Sequence, residues 1–199
     1  MKRWIALSIL SASCLSAQAL TQSERDYAMS ELQASRKMFL DSVAGLTPAQ
    51  WTFKASPERW SIAECAEHIT VSEDFIFNLV PNQVMKTPAT PEKREAAKAK
   101  DETIVKLVTD RSHKAQAPEP IKPTHRWDSM DAMIDDFKTR RDRNIAYVET
   151  TRDALRDHFF PHPMLGPLDG YQWILLLSAH SERHTAQILE VKADANYPK

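Results

Sequence analysis

The sequence predicts an all-α fold, a four-helix bundle with one long crossover between its second and third helices. Three observations carry that expectation. Four segments repeat apolar residues at helical spacing. Capping-box sequences stand ahead of three of them. Gly is scarce, with 3 among 199 residues, and no stretch alternates apolar and polar residues as a half-buried strand would.

The chain opens MKRWIALSILSASCLSAQAL. Lys2 and Arg3 precede an apolar run from Trp4 to Leu10, far too short to span a bilayer. Ala17-Gln18-Ala19 has the small-x-small form of a cleavage site. Residues 1–19 therefore read as a secretory signal peptide, and residues 20–199 as one bundle domain exported to a periplasmic or extracellular space. Lipid attachment at Cys14 is the competing reading, weakened because Ser11 stands where such signals usually carry Leu. Cys65 is the one cysteine left in the domain, so no internal disulfide framework exists. A formal net charge of −1 lacks the basic footprint of a nucleic-acid binder.

Thr21 and Glu24 cap the first helix, whose stripe is Ala28, Leu32, Phe39 and Val43, with Gly45 as its stop. Thr47-Pro48 begins a short connector holding Trp51 and Phe53. Ser61 and Glu64 cap the second helix; Ile62, Ala66, Ile69, Ile76 and Leu79 form its stripe, and Pro81 stops it. Residues 82–128 form the crossover, whose middle, PEKREAAKAKDETIVKLVTDR, reads as an exposed helix with too few apolar residues for a core of its own. Asp128 or Ser129 caps the third helix, expected to run to about Phe159 with Met130, Ile134, Phe137, Ile145, Val148 and Leu155 as its stripe. Arg141 lies in that stripe, an unusual place for a charge. FFPHPMLGPLDGYQW reads as a connecting loop, and Asp169 with Gln172 caps a last helix ending near Ala193.

That last helix holds His180 and His184, one turn apart on one face. Two imidazoles so spaced can aim at one point, and neutral imidazole suits Zn, Ni, Fe or Cu. Two ligands leave a site incomplete. His68, beside the buried stripe of the second helix, is the natural third. The zinc-protease pattern needs Glu directly after the first histidine, whereas the sequence here is HSERH. Glu182 is turned about 200° from His180 by helical geometry and points away.

RWSIAECAEHI at 59–69, FKTRRDRNIAYV at 137–148 and HPMLGPLDGYQWILLLSAHSERHTAQI at 162–188 together resemble the DinB-like (DinB/YfiT-like) family of metal-dependent hydrolases. The resemblance spans nearly all of the proposed mature chain, with the segments in matching order. It implies a four-helix bundle with a three-histidine metal site, whose ligands fall on His68, His180 and His184. Three protein ligands would leave a position for water or substrate, the pattern of a catalytic site. The implied cofactor is a divalent transition metal, Zn or Ni.

Two further side chains are candidates for a catalytic part. Glu64 could orient His68 or act as a base, although its capping box already explains it. Arg141 could bind an anionic substrate group or pair with a buried carboxylate. Cys65 is expected to pack as a small buried thiol. Three functions follow. The first is a hydrolase-like enzyme acting on a small molecule. The second is a thiol-dependent S-transferase, disfavoured by export because low-molecular-weight thiol pools are cytoplasmic. The third is a non-catalytic metal- or ligand-binding bundle. No nucleic-acid partner and no transmembrane span in the mature chain are expected, and a homodimer is compatible with the bundle.

Overall fold

The computed structural model describes residues 18–113 and 115–199. Cys14 and most of the proposed leader lie outside the described residues. The helices in chain order are α1 (Gln22–Val43), α2 (Pro48–Thr52), α3 (Ile62–Phe77), α4 (Leu79–Asn82), α5 (Arg94–Lys98), α6 (Asp101–Thr109), α7 (Met130–Thr150) and α8 (Gly170–Lys192). The long ones, α1, α3, α7 and α8, form the bundle. α1 and α3 each pack against both α7 and α8. α1 and α3 thus stand diagonally opposite, as do α7 and α8, while α3 and α7, joined by the crossover, are neighbours in the bundle.

The expected caps form. Thr21 with Glu24, Ser61 with Glu64 and Asp169 with Gln172 make reciprocal capping boxes on α1, α3 and α8. Ser129 caps α7 through the Ala132 amide. A fourth box, Thr47 with Gln50, turns the expected connector into the short helix α2.

α8 is buried on every side from Gly170 to Ala179. A helix apolar all round needs cover all round, and the crossover supplies it. The crossover was expected to carry an exposed helix. Instead α5 and α6 form there, and α6 lies along α8, with Ala97 and Ile104 buried. Gln172 Nε2 donates to the Ala97 carbonyl at 2.7 Å, closing the seam.

α7 stops at Thr150, short of the expected Phe159. Leu155 keeps the helical spacing of the stripe, yet it reaches the core from a 3-10 turn, Leu155–Asp157. That turn is held by Arg156, whose guanidinium bonds to Glu24, Asp101 and Asp169 and lies 3.9 Å from the Tyr171 ring centroid. Beyond it the expected loop is an antiparallel hairpin of β1 (Phe159–His162) and β2 (Gly166–Asp169). Its prolines hide it from a strand reading. Pro161 sits opposite Pro167, so the two residues without N–H groups share one rung of a two-stranded ribbon.

Two apolar clusters fill the bundle. One gathers on the first half of α8 with α1, α4 and the hairpin; the other joins Phe39, Ile62, Cys65, Ile69, Phe137 and Ile188 at the opposite end. Between them lies a buried polar layer centred on Arg141, which is fully enclosed. Its Nε and Nη2 grip the Glu73 carboxylate at 2.9 and 2.5 Å. Nη1 donates to the Leu32 carbonyl and Ser35 Oγ, and Nη2 to Ser181 Oγ, each at 2.7 Å. All five guanidinium N–H groups are thereby used.

Removing one member of a buried ion pair strands the other. Arg141→Met is therefore expected to lower stability by about 3–5 kcal/mol in urea unfolding, with much of it recovered when Glu73→Leu is added. A loss under about 1 kcal/mol in the single variant would contradict the arrangement. At Gly170 a Cβ would meet Leu155 Cδ2 and the Leu155 carbonyl at 3.0 Å. Gly170→Ala is expected to cost about 1–3 kcal/mol by overpacking, read as a lower thermal midpoint.

Candidate metal centre

The structure brings the three predicted histidines together. His68 projects from α3, and His180 and His184 from the face of α8 that meets it. His68 Nε2 lies 3.1 Å from His180 Nε2 and 3.2 Å from His184 Nε2. One nitrogen from each ring falls within 4.8 Å of the others, a set able to hold a metal ion.

The hydrogen bonds behind the rings decide what those nitrogens are. His68 Nδ1 is 2.7 Å from the Ile121 carbonyl, which can only accept. The proton therefore sits on Nδ1, and Nε2 presents its lone pair. His184 Nδ1 faces Gln187 Oε1 at 3.0 Å, which fixes the same tautomer. Two lone pairs thus confront each other at 3.2 Å with no proton to share. A cation between them turns that repulsion into coordination. For tetrahedral zinc with Zn–N near 2.0–2.1 Å the nitrogens would stand about 3.3 Å apart, close to what is seen. A ring N–H bonded to a carbonyl is also the usual outer support of a histidine ligand.

Burial agrees. It pushes the His68 imidazole down to about 4, against the pull of the Ile121 carbonyl, which favours the protonated ring. His180 and His184 fall well below the ordinary imidazole range, first through burial and then through neighbouring imidazoles. All three rings are neutral at pH 7, as metal ligation requires. Trp60 walls the site, its ring centroid 4.9 Å from that of His68 and 6.1 Å from that of His184. His180 Nδ1 is buried and has no hydrogen-bond partner among the described residues.

Glu64 and Arg141 each have other partners. Glu64 Oε2 accepts from the Ser61 amide at 2.7 Å, and Oε1 pairs with Lys54 at 3.0 Å. Both oxygens are committed to the cap and its neighbour, and neither bonds to a ring nitrogen. Arg141 takes the second of its two expected roles and pairs with a buried carboxylate, Glu73. Cys65 is enclosed in the core, where burial pushes its thiol far up. Sequence reasoning missed Ile121, because a backbone carbonyl carries no signal. Gln187, three residues after His184, reads from the sequence as a donor beside the site; it lies there, but as an acceptor through Oε1.

A bundle with diagonal connections and three convergent neutral imidazoles defines a helical protein of the metal-competent, tri-histidine class. The chain belongs to the DinB superfamily, whose family model matches residues 31–188. It is 25% identical to the uncharacterized protein YuaE of Bacillus subtilis (strain 168) over 164 residues, 82% of this chain and 96% of that one. Among solved structures it is similar in fold to YfiT from Bacillus subtilis, described as a probable metal-dependent hydrolase with an unusual four-helix bundle topology. The TM-score is 0.54 at 15% identity, covering 87% of this chain and 89% of that one.

In the metal-free protein, the His68 ring should stay neutral from about pH 5 to pH 8 in an NMR titration. A ring titrating near its ordinary value of about 6.5 would overturn the assignment. Because the unfolded chain binds that proton more readily, metal-free stability should fall as pH drops from about 6.5 toward 4.

Proposed function

We propose that this protein is an exported, metal-dependent enzyme of hydrolase type acting on a small molecule. Its protein ligands are His68, His180 and His184, with zinc or nickel as the metal. The observation that carries this reading is the meeting of Nε2 lone pairs on His68 and His184 at 3.2 Å, with His180 Nε2 3.1 Å from the first. A divalent cation held there supplies Lewis acidity, which polarises a carbonyl or phosphoryl group or acidifies a coordinated water.

The chain's own residues hold and orient the centre. Ile121 and Gln187 keep the His68 and His184 rings in the ligating tautomer, and Trp60 shields one side from solvent. Glu64 and Arg141 act in this reading as supports, Glu64 through the cap and Lys54, and Arg141 through Glu73. The description of YfiT supports the hydrolase class at the level of fold. Export is supported by Lys2, Arg3, the apolar run after them and Ala17-Gln18-Ala19.

A thiol-dependent S-transferase is the second reading. It gains from the commitment of Glu64, because a thiolate nucleophile needs no carboxylate base at the site.

Elemental analysis of tag-free protein is expected to find about one zinc or nickel per chain, lost in the alanine variant of each histidine. Stoichiometric metal in His68→Ala would refute the ligand set. Ester, amide and phosphoester substrates should be turned over by the loaded protein and not after chelation. Turnover that demands added thiol selects the second reading, and full activity without metal overturns both. Mass spectrometry of the exported fraction should give an N-terminus at Leu20; an intact Met1 in the cytoplasm contradicts export.

A further inference from the structure

Glu67 precedes His68 on α3, and its carboxylate is buried, with its side chain 2% exposed. No role is yet assigned to it. It accepts from three successive backbone amides of the crossover, Thr124 at 2.7 Å, His125 at 2.9 Å and Arg126 at 3.4 Å. Arg126 Nη1 adds a fourth contact at 3.4 Å. Successive amides aimed at one point form a nest that binds an anion. The nest depends on His125, whose φ of 61° is left-handed and unfavourable for a residue with a Cβ. Glu67 supplies the anion that offsets this strain.

The same strap of chain carries Ile121, whose carbonyl holds His68 Nδ1 at 2.7 Å. Adjacent residues of α3 thus grip one short segment, one by a carboxylate and one by an imidazole. We infer that Glu67 is a positioning residue for the metal centre: seated in the nest at residues 124–126, it anchors the strap whose Ile121 carbonyl sets the tautomer and orientation of His68. The inference rests on the metal-site reading above. Glu67 touches neither metal nor substrate and acts through the strap.

The chemistry of the anchor is specific. A carboxylate offers two acceptor oxygens to the nest. Glu67→Gln offers one and turns an amide N–H toward other N–H groups. The strap then loosens, Ile121 no longer fixes the His68 ring, and the ligand set becomes less ordered before metal arrives.

The test is a titration of the purified full chain with Co²⁺, followed by visible absorption and by Zn²⁺ competition. Glu67→Gln is expected to bind about 10- to 100-fold more weakly, with displaced absorption bands, as when an outer support of a histidine ligand is lost. A second pair acts on the nest without altering α3. His125 is exposed, so a purely structural account predicts no effect there. His125→Val opposes the left-handed backbone and should weaken Co²⁺ binding in the same sense. His125→Gly tolerates that backbone and should bind as the parent does. Should Glu67→Gln fail to fold, the contrast between His125→Val and His125→Gly decides the matter alone. Parent-like affinity and spectrum in both Glu67→Gln and His125→Val overturn the inference, while loss of binding in His68→Ala in the same experiment leaves the metal site standing. Retained binding in His68→Ala removes the metal-site reading and the inference with it.

Discussion

The buried pair of Arg141 and Glu73 is the constraint on which the rest of the bundle depends. A guanidinium and a carboxylate taken wholly out of water lose several kcal/mol of hydration each. That loss is recovered only if every donor finds an acceptor, and the geometry meets the condition. The acceptors come from α1, α3 and α8, while Arg141 itself stands on α7. One side chain therefore ties all four long helices at one level. Apolar packing alone would tolerate a sliding of α3 along α8; this polar layer does not, because a shift would strand a charge.

That register has a consequence at the metal centre. Glu73 lies five residues after His68 on α3, and Ser181 directly follows His180 on α8. The same two helices that meet at Arg141 present the three imidazoles about a turn away. A ligand set must be held within a few tenths of an ångström to favour metal over solvent. The ion pair sets helix against helix, and the hydrogen bonds accepted by Ile121 and Gln187 then set the His68 and His184 rings. Trp60 closes one side of the rings.

A second staple stands at the other end of the bundle. Arg156 binds carboxylates from α1, α6 and the cap of α8 while stacking on Tyr171. It fastens the crossover to the bundle and lets α8 be apolar on all sides through its first half. The crossover is thus part of the fold in two ways: α6 covers the outside of α8, and the strap at 119–126 reaches back to the start of α3.

Much of this was legible in the sequence. Four amphipathic segments, their caps and the spacing of His180 and His184 follow from local chemistry, because caps and helical faces are set by residues three and four apart. His68 was legible as a buried-face histidine, and the charge of Arg141 in an apolar stripe was legible as unusual, with a substrate anion or a buried carboxylate as its partner. Tertiary structure alone decided the rest. The diagonal order of the helices, the hairpin hidden behind Pro161 and Pro167, the end of α7 before Leu155 and the meeting of Glu67 with the strap all join residues far apart in the chain. Local periodicity says which face of a helix is buried; it carries no information about which distant backbone amide or carbonyl that face will meet.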